Sequence, residues 1–353
     1  MTRPDTMKGV QLTGHGGPEK LVWSHAIPTP EPGPGEVLIR VRAAGVNNTD
    51  INTRIGWYAK EVTGATADAI EGEVQAGGWA GALSFPRIQG ADLCGTVAAL
   101  GDGVTGPAIG TRVTAQAVQD WSTPDAPKAM KTLGSEMDGA FAEYCVVGAA
   151  HVFDVTASPL SDIEIAAAPC AYGTAWGMLD RAGVGQGDRV LVTGASGGVG
   201  LAAVMLARHL GATVTAQTSP AKAPAVRDAG ATTILGRDDT PADNSATVVI
   251  DLVGGPHWGR LLDALAPGGR LAVAGAIAGP IVTADLRTIY LKDLALHGCT
   301  HQPRATFARL GVLAGQDLAV QAAGEPGQDL GLGPEYWIDL GQRQASGLGD
   351  LCQ

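Results

Sequence analysis

The stretch Val190-Leu191-Val192-Thr193-Gly194-Ala195-Ser196-Gly197-Gly198-Val199-Gly200 has the residue types to hold an anion. Three apolar residues run into a turn of small residues. The turn runs into Leu201-Ala202-Ala203-Val204-Met205-Leu206-Ala207. This reads as a buried strand, a tight loop and the start of a helix. Gly194 can take backbone angles that other residues avoid. Gly197 and Gly198 let the backbone come close to a bound group, and Gly200 lets the helix pack on its strand. Free N–H groups at a helix start favour an anion by roughly 0.3–1 kcal/mol. In a strand–loop–helix setting the expected anion is a dinucleotide pyrophosphate, held by Ser196, Gly197, Gly198 and Val199. A Gly-rich structural turn in an ordinary α/β domain is the other reading.

The end of the next strand bears on which dinucleotide. NAD sites place an acid there for the ribose hydroxyls, about 20 residues past the first motif glycine. This chain has Thr215-Ala216-Gln217-Thr218-Ser219 and no acid, followed by Lys222 and, further on, Arg227. A hydroxyl and a cation suit a 2′-phosphate, so Ser219 and Lys222 point to NADPH. Ser219-Pro220 also reads as a helix cap with Lys222 in solvent; the two readings are compatible.

A second polar group precedes these residues. Asn47-Asn48-Thr49-Asp50 is a polar turn or helix start, and Gly56-Trp57-Tyr58 follows. Hydride transfer leaves an anion on the acceptor, so a proton or hydrogen-bond donor is useful. Tyr58 is a candidate. Structural alternatives read Tyr58 as an aromatic plug, Thr49 as a cap and Asn47 as a turn former. Asp50 reads as a structural hydrogen-bond acceptor.

The elements that must position these residues come in two styles. From residue 189 onward, strands over 190–193, 213–216, 232–235, 247–251 and 269–274 alternate with helices over 198–210, 220–229 and 257–265. That rhythm implies a parallel, doubly wound sheet. Before residue 158 the pattern is short strands between glycine turns: 7–11, 21–24, a strand from residue 37, 95–101, 110–115 and 139–147. These suggest a small barrel-like β domain. Residues 60–84 read as a Gly/Ala-rich insertion with Trp79 as its large anchor, and the insertion is expected to shape a substrate pocket. Helices are expected over 162–168 and 174–182.

Of 353 residues, 45% are hydrophobic, ample for the cores of two domains. A net charge of -11 argues against non-specific nucleic-acid binding. Five scattered cysteines, Cys94, Cys145, Cys170, Cys299 and Cys352, give no metal-ligand or redox spacing and suggest reduced thiols in the cytoplasm. The first residues lack the apolar core of a signal peptide, and no apolar run is long enough to span a bilayer.

From about Met7 to Arg304 the chain resembles the medium-chain dehydrogenase/reductase superfamily. The resemblance is carried by Pro34-Gly35-Glu36-Val37, Ala44-Gly45-Val46-Asn47, Gly90-Ala91-Asp92-Leu93-Cys94-Gly95 and Gly110-Thr111-Arg112-Val113. It continues in Gly173-Thr174-Ala175-Trp176, the Gly-rich loop, Asp251-Leu252-Val253-Gly254-Gly255 and Pro267-Gly268-Gly269-Arg270. It implies an α/β chain with a GroES-like catalytic domain over 1–157 and a Rossmann domain over 158–298. The chain would return to the catalytic domain over 299–353, with a cleft between the two domains and a homodimer joined edge to edge through its sheets.

Zinc members of the superfamily carry a Cys ligand where this chain has Asn47, and Gly-His-Glu where it has Gly90-Ala91-Asp92. Ala91 cannot bind metal, and residues 116–136 lack the cysteines of a structural-zinc lobe. Tetrahedral zinc needs three or four N, S or O ligands, so no metal is expected. The chain looks like the zinc-free quinone oxidoreductase branch. Cys170 lies near the third ligand position; burial is its simpler use.

By the same resemblance Asn47 faces nicotinamide and substrate, and Thr49 aligns with a hydroxyl proton relay. Thr174 touches the cofactor phosphates, while Val253, Gly275 and Ala276 approach ribose and nicotinamide from strand ends. Many zinc-free members need no obligatory side-chain acid, since a quinone can take its proton from water.

The implied activity is NADPH-dependent reduction of quinones or α,β-unsaturated carbonyls. A zinc-less alcohol dehydrogenase-like enzyme and a nucleotide-binding protein with vestigial activity are the alternatives. After about Leu310 the chain departs from the family pattern, as a shifted reading frame or a divergent C-terminus would make it. The β domain is accordingly expected to lack its final strands.

Overall fold

The computed structural model describes residues 3–68, 77–79, 81–316 and 337–339. The chain forms two compact units. One takes in Met1–Val62, Ile70–Cys170 and Ala308–Gln353; the other takes in Thr63–Ala69 and Ala171–Phe307.

In the first unit, β1 (Thr6–Leu12), β2 (Leu21–Pro28) and β4 (Arg87–Ile88) form an antiparallel sheet in the order β2-β1-β4. A larger sheet is built on β3 (Glu36–Gly45), which pairs antiparallel with both β5 (Asp92–Leu100) and β9 (Tyr144–Gly148). β6 (Arg112–Ala115) and β10 (Val152–Asp154) extend it. β7 (Val118–Asp120) and β8 (Met130–Thr132) make a separate pair. Alternate residues of these strands face one interior, where Val37, Ile39, Leu93, Val97, Val113 and Val147 are buried. Register shifts in the β3–β5 pair, between Leu38 and Ile39 and between Val41 and Ala43, bend the ladder.

β3 runs to Gly45, and α1 (Asn48–Ile55) starts three residues later. A side chain at Gly45 would lie 2.5 Å from the Ala166 carbonyl oxygen, on α2 (Asp162–Ala166). Glycine is thus required where β3 hands over to α1. Gly56, at φ 78°, ends α1 in the left-handed conformation.

α3 (Pro169–Arg181) runs from the first unit into the second. The second unit holds six parallel strands in the order β13-β12-β11-β14-β15-β16. They are β11 (Arg189–Val192), β12 (Thr213–Gln217), β13 (Thr233–Leu235), β14 (Ala246–Asp251), β15 (Leu265–Val273) and β16 (Ala295–Gly298). α4 (Gly198–His209), α5 (Ala223–Asp228), α6 (Gly259–Ala264) and α7 (Leu286–Leu291) join or flank them. The helix expected over 220–229 is a 3₁₀ turn, Pro220–Lys222, followed by α5. The sixth strand, β16, has no counterpart among the expected elements. It reads Ala-Leu-His-Gly, too short and mixed for a period-2 signal.

The tail requires a correction. α8 (Arg304–Gln316) is followed, beyond residues outside the described set, by β17 (Trp337–Asp339). β17 pairs antiparallel with Gly45, Ala44 and Ala43 of β3. The tail therefore returns at least one strand to the β sheet. A strand of three residues is set by its partner's free edge and leaves little periodicity to read.

Candidate active site

The first unit gathers Asn47, Thr49, Tyr58, Asp50 and Asp92. Asn47 sits one residue before α1 in an extended conformation, the position where a short polar side chain is favoured. Its backbone N–H donates to Asp50 Oδ2 at 2.8 Å. Asp50 Oδ1 accepts from the N–H groups of Gly90 and Ala91 at 3.1 and 3.2 Å. Asp50 is buried, and its carboxyl is pushed up to about 6 by desolvation, against the pull of these backbone donors. It acts as a structural acceptor, tying the start of α1 to the turn before β5.

Asp92 carries the other half of the arrangement. Asn47 Nδ2 donates to Asp92 Oδ2 at 3.0 Å, and the Cys170 backbone N–H donates to Asp92 Oδ1 at 2.8 Å. Asp92 is fully buried, and desolvation, aided by the nearby Asp50, raises its carboxyl to about 8. Both of its oxygens are thus used inside the protein. Ala91 beside it is buried and offers only a methyl group. Cys170 is half-buried rather than buried, and its backbone N–H reaches Asp92. Among the described residues no three His, Cys, Asp or Glu side chains are gathered to hold a metal ion.

Thr49 and Tyr58 come together through their hydroxyls, 2.9 Å apart. Trp79 joins them: its Nε1–H donates to Thr49 Oγ1 at 3.0 Å, and its ring lies 5.5 Å from that of Tyr58. Burial raises the Tyr58 phenol to about 12, so it keeps its proton at any ordinary pH. Trp79 is absent from the sequence-derived candidates as a site residue. Its signal was its place as the one large side chain in a Gly/Ala-rich insertion.

The second unit gathers the remaining candidates. All six strands are parallel, so their carboxyl ends lie along one edge of the sheet, where ligands of such sheets bind. Ser196, Gly197, Gly198 and Val199 follow β11, Ser219 and Lys222 follow β12, Val253 follows β14, and Gly275 and Ala276 follow β15. Gly194, at φ 57°, lies so close to Val253 that an added side chain would meet it at 3.1 Å. The Ala195 N–H donates to the Gln217 carbonyl at 3.1 Å, which fixes the loop to the end of β12.

The glycines of the loop divide by role. A side chain at Gly200 would lie 2.3 Å from the Gly194 carbonyl oxygen, so close helix-to-strand packing forbids one. At Gly197 and Gly198 the nearest atoms would be 3.6 and 3.5 Å away. The protein itself does not need glycine there, and both residues are exposed. The space they leave fits the close approach of a phosphate to the N-terminus of α4.

The loop after β14 is held from below. Buried Asp251 accepts from Thr193 Oγ1 at 2.7 Å, Trp258 Nε1 at 3.0 Å and the Val253 N–H at 3.0 Å. Asp251 is a supporting residue read in sequence only as part of a motif. Thr174 lies on α3, half-buried, in this same unit. Thr66 from the insertion also belongs to it: its N–H donates to the Ile277 carbonyl at 3.0 Å.

Known proteins share this organisation. Residues 33–157 match the alcohol dehydrogenase GroES-like domain, and residues 198–313 match the zinc-binding dehydrogenase family. An acryloyl-coenzyme A reductase from Metallosphaera sedula is 30% identical over 305 residues, covering 83% of this chain and 84% of that protein. A quinone oxidoreductase from Lama guanicoe is 28% identical, covering 83% of this chain and 80% of its own. The solved structure of a thermostable alcohol dehydrogenase from Pyrobaculum aerophilum is 31% identical with a TM-score of 0.72, and the match covers 89% of each chain. With a GroES-like β unit, a six-stranded Rossmann sheet and relatives matched over most of their length, the chain belongs to the medium-chain dehydrogenase/reductase superfamily.

Proposed function

We propose that this oxidoreductase reduces quinones or α,β-unsaturated carbonyl compounds with NADPH and without zinc. The observation that carries the reading is the arrangement around Asn47. At positions where zinc members hold ligands, an amide and a methyl group stand instead, and the Asn47 amide is spent on Asp92. Such a donor set does not fit tetrahedral zinc, and without a Lewis acid the natural acceptors are those already activated by conjugation. Relatives named for acryloyl-coenzyme A reduction and quinone reduction support the same substrate classes.

Ser196, Gly197, Gly198, Val199 and Thr174 would hold the cofactor phosphates, and Val253, Gly275 and Ala276 would lie along its nicotinamide half. Ser219 and exposed Lys222 would take the 2′-phosphate. The bound nicotinamide supplies the hydride. The chain's own residues orient the acceptor and stabilise the charge that develops on its oxygen. Asn47, with its amide fixed by Asp92, lines the reacting centre, and the Thr49 hydroxyl donates to the acceptor oxygen. The Tyr58 hydroxyl is engaged with Thr49 rather than with the substrate, and the proton that completes the reduction is taken from water.

Mixing NADPH with menadione and with cyclohexenone tests this directly. Oxidation of NADPH by either supports the reading, and binding without oxidation sinks it. Tighter binding of NADH than NADPH would remove the role given to Ser219 and Lys222. Metal analysis giving one zinc per chain would remove the zinc-free assignment.

A second copy of the chain is the proposed partner. β16 is the outer strand of its sheet, and exposed apolar side chains cluster in sequence beside it: Ile281, Leu286, Tyr290, Leu291 and Leu296. An apolar sheet edge with no further strand among the described residues is the surface a pairing copy would cover.

A further inference from the structure

The Thr49–Tyr58–Trp79 cluster carries an inference about how hydrogen-bond donors are supplied. It rests on the reading that Thr49 meets the acceptor oxygen. An indole N–H can only donate, whereas a hydroxyl has one proton and two lone pairs. Trp79 therefore fills one lone pair of Thr49 Oγ1. The Thr49–Tyr58 contact allows either atom to donate. A phenol is a far stronger acid than an aliphatic alcohol, and the alcohol oxygen is the better acceptor. Tyr58 is thus the natural donor in this pair, and it fills the second lone pair.

The consequence concerns the proton of Thr49. With both lone pairs taken, its O–H is committed to neither neighbour, and no third partner is present among the described residues. We propose that Trp79 and Tyr58 are positioning residues that convert the Thr49 hydroxyl into an obligate donor toward the substrate carbonyl oxygen. A hydroxyl fed by two donors is also polarised, and its own donation strengthens by about 10–30% per bond. Trp79 is what the insertion brings to this cluster, an indole held against Thr49 and Tyr58. Tyr58 then serves by what it gives to Thr49, not by giving a proton to substrate.

A double-mutant cycle on kcat tests this, using NADPH with menadione and cyclohexenone as acceptors. W79F and Y58F each remove one donor while keeping an aromatic ring. Each should lower kcat roughly tenfold, about the worth of one hydrogen bond to a charge-bearing group, with the Kd for NADPH within about twofold of wild type. T49V should lower kcat at least as far. In the T49V background neither W79F nor Y58F should lower kcat further, because the hydroxyl they serve is gone.

Additive losses in that background would show a packing role and overturn the proposal, as would a Y58F variant as fast as wild type. The Trp79 indole N–H resonance, assigned with W79F, gives a readout independent of turnover. It should move upfield in T49V, and an unmoved resonance overturns the proposal. If wild type oxidises NADPH with neither acceptor while T49V shifts the indole resonance, the functional reading has failed and the hydrogen-bond geometry stands.

Discussion

At the scale of single residues, the chemistry of the first unit turns on two buried carboxyls. Asp50 accepts three backbone donors and stays an anchor. Asp92 accepts an amide and one backbone N–H and is raised further, to about 8. The sign for stability follows. Between the ordinary value of 3.8 and about 8, the folded state holds a proton on Asp92 that the unfolded chain has released. Stability therefore falls as pH rises through that window and levels off above it. D92N keeps one acceptor oxygen and cannot ionise. Thermal melts over that range should show wild type losing Tm relative to D92N as pH rises; parallel curves would show that Asp92 does not titrate there. Lys222 supports a second prediction. K222A should weaken NADPH binding roughly tenfold, the range for a hydrogen bond to a charged group, and leave NADH nearly unchanged. Isothermal titration with both cofactors checks it, and equal losses for both would place Lys222 outside a 2′-phosphate site.

At the scale of elements, the Gly-rich turn separates what folding needs from what a ligand needs. Gly200 is pressed against the Gly194 carbonyl. G200A must push α4 off its strand, and overpacking of this kind costs about 1–3 kcal/mol. G198A meets nothing closer than 3.5 Å and sits at a helix start, so it should melt within a few degrees of wild type. On the proposed function its methyl group would stand where the pyrophosphate approaches, so cofactor affinity should fall. Melting curves and titration calorimetry on the two variants should show opposite patterns. If both lose affinity and neither loses Tm, the division of roles is wrong. The sequence made this turn legible because strand, turn and helix are local and each leaves its own pattern. It did not reveal that Asp92 would hold Asn47 or that Trp79 would reach Thr49. Those partners are 45 and 30 residues apart and share no periodicity.

At the scale of the molecule, the tail and the outer sheet edge carry the new information. β17 joins β3 despite a tail that breaks the family pattern, because a free strand edge satisfies the backbone of almost any extended segment. Beside β16, Leu286 and Leu291 are 70% and 72% exposed, an apolar display that a second copy would cover. L286D and L291D together should convert a dimer to a monomer in sedimentation velocity while NADPH still binds. A wild-type chain that sediments as a monomer would exclude this edge as an interface.

From the sequence alone come the alternating strands and helices behind the parallel sheet, the Gly-rich turn after β11 and the absent acid after β12. Each is written in local spacing, where backbone geometry leaves few choices. Which side chains meet is settled by packing. The burial that raises Asp92, the two donors that converge on Thr49, and the strand that closes on β3 depend on distant segments brought together by packing. No window along the chain contains that information.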